Sequence, residues 1–207
     1  MPPFGAEPPL LLRRRVSPLG REALRAAWNL PGTQNSRVIV SSRHGEFGRT
    51  LSLLETIVAG VEVSPADFTL SVHHALAGLL SIACTNRQGH TAVAAGPESF
   101  CFGLLEAIAT LAYRPAEPVV LLHYDEPLPE PFARFDETLA PPEVLALVLA
   151  AEGEGFSLAI SPAHGAEPAT LSAAAEFIAF LRQGEAAERV FRGGRCDWYW
   201  RRQMATA

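Results

Sequence analysis

A nucleophile at the tip of a sharp turn, followed by a helix whose N-terminus faces it, is a common device for covalent catalysis. The turn exposes the attacking atom, and the free N–H groups of the helix stabilise negative charge. The stretch from Gly89 to Ala112 has this layout. A short apolar run, Thr91 to Ala95, breaks at Gly96-Pro97; Glu98 and Ser99 then suit a first helical turn, and from Phe100 to Ala112 only Glu106 and Thr110 are clearly polar. A strand, a tight turn and a central helix covered on most sides are predicted. Yet the tip, Ala95-Gly96-Pro97-Glu98, carries no Ser, Thr or Cys. The thiol of Cys101 follows inside the apolar helix, between Phe100 and Phe102, in surroundings that disfavour a thiolate. Acyl transfer or hydrolysis through Cys101 is the alternative this stretch leaves open.

Other reactive groups are scattered. Cys84, Cys101 and Cys196 form neither an even disulfide framework nor a CxxC metal pair. His73 and His74 are adjacent, so on a helix they point to different sides and cannot share a metal as an i, i+4 pair does. No metal and no cofactor are expected. Arg13-Arg14-Arg15 reads as a solvated turn or as a contact for an acidic partner. The net charge of -5 argues against a general nucleic-acid surface.

The elements that must position these groups follow from the order of the chain. At 207 residues with 48% apolar content, one domain with one substantial core is expected. No apolar run reaches the roughly 18 to 20 residues of a membrane span, and the N-terminus lacks the layout of a secretory signal, so a cytoplasmic protein is expected. Residues 1–12 read as an irregular arm. Ser17 is placed to cap a helix opening at Pro18 and running to Trp28. Arg37 to Ser42 reads as a strand, followed by a helix from Arg49 to Ala59 that ends at Gly60 and carries Leu51, Leu54, Ile57 and Val58 on one side. A helix from Phe68 to Ala83, a buried strand Pro118 to Tyr124 and a Pro-rich break at Asp125 to Pro131 come next. A strand Val144 to Ala150 is expected to pair as a hairpin with Phe156 to Ile160. A helix Leu171 to Arg182 precedes a tail, residues 183–207, that holds Trp198-Tyr199-Trp200. Helices alternating with buried strands make an α/β domain with a single mixed sheet.

Taken together, Arg13-Arg14-Arg15-Val16-Ser17, Ser41-Ser42-Arg43-His44-Gly45-Glu46 with Arg49-Thr50, Ser71-Val72-His73-His74-Ala75 with Ala77-Gly78 and Ser81-Ile82-Ala83, Thr91 to Gly96, and Asp125-Glu126-Pro127-Leu128-Pro129 form a recognisable series. Their order resembles the short β-ketoacyl-synthase-like proteins called chain length factors, which accompany full-length ketosynthases in bacterial aryl polyene and xanthomonadin-type pigment clusters. The resemblance covers nearly the whole chain. It implies the N-terminal half of a thiolase-like fold. In ketosynthases Thr-Ala-Cys closes the strand, and the matching place here is Gly96, or Pro97 with one residue of slippage, so the resemblance implies a missing nucleophile. The two active-site histidines of ketosynthases come from a C-terminal half for which 207 residues leave no room. His73 and His74 fall where ketosynthases have His-Asn or Pro-Asn, so His74 departs from the pattern.

The resemblance therefore implies a non-catalytic subunit. It would form a heterodimer with a full-length β-ketoacyl synthase, meet acyl carrier protein through that complex, and shape the tunnel in which the acyl chain grows. Thiolase-like dimers join through the strand before the nucleophile turn, which implies an interface at Thr91, Ala92, Val93, Ala94 and Ala95. Phe100 and Phe102 would then lie near the partner's acyl tunnel.

Overall fold

A computed structural model describes residues 7–136, 141–153, 155–165, 171–183 and 188–203. In chain order the elements are α1 (Leu10–Arg13), α2 (Pro18–Trp28), β1 (Arg37–Ser41), α3 (Phe47–Val58), α4 (Pro65–Leu70), α5 (Ala75–Cys84), β2 (His90–Val93), α6 (Ser99–Tyr113), β3 (Val119–Asp125), β4 (Glu143–Leu149), β5 (Gly155–Pro162), α7 (Ala173–Arg182), β6 (Glu188–Arg192) and β7 (Cys196–Gln203). Single 3-10 turns at Thr33–Asn35 and Phe132–Phe135 complete the set.

The first sheet has the order β2-β1-β3-β4. β1 pairs in parallel with β2 and β3, and β3 pairs antiparallel with β4, so this sheet is mixed as expected. Its inner strands are buried on both faces, which is why they read as unbroken apolar runs. Side chains alternate between faces. Val38, Val40, Val120 and Leu122 share a core with Leu24 of α2 and Leu76 and Leu80 of α5. Ile39, Val119 and Leu121 share the opposite core with Phe100, Leu104 and Leu111 of α6.

A second, antiparallel sheet, β5-β7-β6, overturns the expectation of a single one. β5 pairs with β7, not with β4 as the hairpin reading required. The cause is aromatic: Phe156 packs edge-on against Phe177 of α7 at 5.2 Å, and Phe177 meets Trp200 of β7 at 5.2 Å in the same geometry. Trp198 and Trp200 are fully buried, so residues 188–203 of the expected tail are the middle and one edge of a sheet. The layers therefore run from α2 and α5 through the first sheet to α6, then α7 and the second sheet.

Two further readings are corrected. Leu10–Arg13 makes one helical turn within the arm expected to be irregular. The helix expected from Phe68 to Ala83 is broken into α4 and α5 at residues 71–74, where the Ser71 hydroxyl donates to the Phe68 carbonyl (2.8 Å) and competes with helix continuation. The caps at Ser17 and Gly60 are as read: Ser17 Oγ accepts from Gly20 N at 2.9 Å, and Gly60 has φ 69°.

Candidate functional site

The turn between β2 and α6 is closed by residues of its own and from the far end of the chain. Gly96 adopts φ 61°, a left-handed conformation open to glycine at little cost. Ser99 Oγ accepts from Ala95 N (2.9 Å) and donates to Gly96 O (2.7 Å), which fixes the turn against the first residue of α6. Glu98 is buried and does not cap the helix through its side chain. Instead it accepts from Arg195 N (2.8 Å) and from Trp198 Nε1 (3.0 Å). Its charge also faces the positive end of α6, which offsets part of the cost of burial. Gly193 is required here: a Cβ at that position would sit 2.6 Å from Glu98 Cδ. Arg195 in turn donates to Ala95 O (2.7 Å) and lies over the Phe102 ring, 5.1 Å from its centroid.

Cys101 is completely buried in the core between α6 and the second sheet. Burial first, then the neighbouring Glu98 and Cys196, push its thiol well above the ordinary value. Each of these influences opposes a thiolate, so the geometry gives Cys101 none of the activation that nucleophilic thiols have. Phe100 turns inward, 5.3 Å from Phe177 and edge-on to His123 at 5.4 Å. Phe102 is half-buried between Trp198 (4.8 Å) and Arg195. Of the two rings, Phe100 thus belongs to the subunit's own core, and Phe102 lies nearer the surface.

The strand expected to form an interface, β2, is the outer strand of the first sheet, with β1 on one side and no strand on the other among the described residues. Gly89 O and Val93 O accept from β1. By the alternation of a ladder, the backbone of His90, Ala92 and Ala94 faces the free edge. Ala92 and Ala94 are exposed, Thr91 and Ala95 half-buried, and Val93 leans its side chain onto the core. The Thr91 hydroxyl accepts from Arg37 (2.9 Å). His74 stacks on His90 with ring centroids 5.9 Å apart, and His73 packs beside Gly45. The two histidines therefore diverge, although they lie at the break between α4 and α5 and not on one helix as expected.

A polar network beneath α6 was not foreseen. Ser41 Oγ lies 2.9 Å from His123 Nδ1, and His123 Nε2 lies 3.2 Å from Glu143 Oε1, whose other oxygen accepts from Ser172 Oγ at 2.5 Å. Serine, histidine and carboxylate in this order resemble a hydrolytic triad. Ser41 is fully buried, however, and a Cβ on Gly103 of α6 would come within 2.8 Å of its Oγ, so no substrate carbonyl can reach it. His123, Asp125 and Glu143 also offer ligand atoms within 4.8 Å of one another. Asp125 accepts from Ser42 Oγ (3.1 Å) and from Arg43 N, while burial, only partly countered by His123 and these bonds, raises its carboxyl. The one sequence signal was a histidine inside the apolar strand Val119–Asp125.

A second set of polar contacts brings the sequence motifs together. Ser17 N donates to Glu46 Oε1 (2.8 Å), the Ser17 hydroxyl bonds Glu126, and Arg49 bonds both Glu46 (3.2 Å) and the carbonyl of Arg15 (2.8 Å). The arginine-rich run, the Ser-Ser-Arg-His-Gly-Glu loop and the Asp-Glu-Pro break thus meet at one end of the sheet, around a cavity of about 420 Å³. Arg15 contributes through its backbone.

The model of the beta-ketoacyl synthase N-terminal domain matches residues 2–201. The solved complex of a ketosynthase, ApeO, with its chain length factor, ApeC, from Xenorhabdus doucetiae contains a chain 28% identical to this one. The match covers 95% of this chain and 82% of that chain, with a TM-score of 0.82. A beta-ketoacyl synthase from Burkholderia phymatum shares the fold at 14% identity and a TM-score of 0.59, over 85% of this chain and 55% of its own. The chain therefore spans about half the length of that synthase. A search of curated proteins finds no match.

Proposed function

The chain belongs to the beta-ketoacyl synthase N-terminal domain family, and from that premise we propose that it is a non-catalytic chain length factor. In this reading it pairs with a full-length β-ketoacyl synthase, meets acyl carrier protein through that partner, and limits how far the acyl chain grows. The observation that carries the proposal is the turn before α6. The resemblance read from the sequence puts Gly96, or Pro97 with one residue of slippage, where ketosynthases have their cysteine, and the turn is packed by Glu98 and Arg195. The similarity to a chain of a solved ketosynthase–chain length factor complex supports the partner.

The partner strand is proposed to add antiparallel to the free edge of β2, using the outward backbone of Ala92 and Ala94. Phe102, held by Trp198 and Arg195, is the ring of the proposed pair that can act on a neighbouring tunnel, with Phe100 behind it. The alternative, an acyl transferase or hydrolase using Cys101, requires a thiolate that burial and Glu98 oppose. A thiol-directed acyl mimic applied to the complex separates the two. Labelling confined to the partner's cysteine is expected; labelling of Cys101, with thioester turnover by the isolated subunit that Cys101→Ala abolishes, would overturn the proposal.

A further inference from the structure

α3 is a twelve-residue helix with no buried residue. Its sequence is nevertheless that of an amphipathic helix: Leu54, Ile57 and Val58 follow the i, i+3, i+4 spacing of one apolar side. Ile57 is 58% and Val58 88% exposed. The neighbouring α4 adds Phe68, 62% exposed, and α5 adds Ile82, 76% exposed. α3 packs chiefly against α4, while α4 leads into α5, which packs on both β1 and β2. The root of this arm is held by polar contacts, Arg49 to Glu46 at 3.2 Å and to Asp67 at 3.3 Å. Helices earn their stability from tertiary packing of the apolar side. Here, among the described residues, Leu54, Ile57 and Val58 of that side remain exposed.

We propose that the α3–α4 arm, with Leu54, Ile57, Val58 and Phe68, is a second docking surface that the partner ketosynthase covers in the same complex. This rests on the heterodimer reading and extends it from the β2 edge to a separate element. Continuity commits the arm to that occupant. α5 joins the arm to β2, and His74, which closes the α4–α5 junction, stacks on His90 of the edge strand itself. A partner seated on β2 is therefore next to the arm. The exposed acids Glu55 and Glu62 lie on and just after the same helix, so the receiving surface should be apolar with a basic rim. Exposed apolar clusters of this kind mark interaction sites in otherwise soluble folds.

The test compares Ile57→Asp with Ala92→Pro in the intact chain co-expressed with a full-length ketosynthase. Ile57 is exposed, so Ile57→Asp should leave the subunit's melting temperature unchanged. It should weaken the complex at least about 100-fold, because a carboxylate would be buried without a partner. Ile57→Ala, which removes contact without adding charge, should weaken it by about tenfold. If Ala92→Pro breaks the complex while Ile57→Asp leaves its affinity unchanged, the edge-strand pairing stands and the arm proposal is overturned. If the unaltered subunit forms no complex, the heterodimer reading falls first and the arm proposal with it. A homodimer of this chain that Ile57→Asp dissolves would show that a second copy, and not a ketosynthase, covers the arm.

Discussion

α6 and α3 invite comparison because the chain builds them alike. Each follows a strand of the same sheet through a loop with a left-handed glycine, Gly96 before α6 and Gly45 before α3. Each carries an apolar side. In α6 seven residues are buried, whereas in α3 none is. The first helix is held between two layers of the subunit, and the second projects from one of them. Apolar periodicity thus tells which side of a helix seeks cover, but not whether the cover belongs to the same chain. Leu51, Leu54, Ile57 and Val58 lie on one side of α3 as expected, and all but the half-buried Leu51 are exposed.

The strongest way to sharpen this contrast is to put the same charge on both helices. Leu104→Asp, at a site with no exposure, should prevent folding, since an unpaired carboxylate in that core costs several kcal/mol. Circular dichroism and thermal melting should show Ile57→Asp unaltered beside it; a large loss of melting temperature in Ile57→Asp would mean that α3 has a core of its own. Leu105 is half-buried and should give an intermediate loss.

Next in size are the two rings of α6. Phe100→Ala removes a core side chain and should cost about 3–5 kcal/mol by denaturant unfolding. Phe102→Ala should cost clearly less and, in the assembled complex, move products toward longer chains by mass spectrometry. Equal stability losses would remove the distinction between a core ring and a ring near the surface.

Smaller again is the latch between the turn and the second sheet. Glu98→Ala leaves Trp198 Nε1 without its acceptor in a buried site and should cost about 1–3 kcal/mol. It should also expose the Ala95 to Ser99 turn to faster amide exchange. Unchanged exchange there would show that Ser99 alone holds the turn.

The smallest effect concerns pH. Burial tends to raise the Glu143 carboxyl, but hydrogen bonds from His123 and Ser172 outweigh it and hold the group below its ordinary 4.5. A depressed carboxyl contributes stability that is present above its unfolded value and lost as pH falls through the folded one. Glu143→Gln should therefore lower stability by about 1 kcal/mol near neutral pH, and the gap from the unaltered protein should narrow as pH falls below the ordinary 4.5 and vanish once it has passed the depressed folded value. A gap that is constant with pH would show that Glu143 acts through shape alone. Asp125, raised by burial, has the opposite sign in both proteins and largely cancels in the comparison.

Local signals carried much of the fold. The strands β1 and β3 are continuous apolar runs, Ser17 sits where α2 begins, and Gly96-Pro97 separates β2 from α6. What escaped depends on partners far away in the chain. Glu98 finds Trp198 100 residues later, and Ser41 finds His123 82 residues later, so no spacing rule reveals either bond. The second sheet was hidden for a related reason: β5 pairs with a strand on the far side of α7, and what joins them is the aromatic cluster of Phe156, Phe177, Phe180 and Trp200. At the candidate site the absence of a nucleophile at the turn was readable, while the sealing of Cys101 and the inward turn of Phe100 needed the packed layers.

The central claim is that this chain functions as the partner of a complete ketosynthase. Light scattering coupled to size exclusion, on the two proteins co-expressed, tests it most directly. The account predicts one species with the mass of one copy of each, lost on Ala92→Pro. Two separate species, each with the mass of its own protein alone, would contradict it.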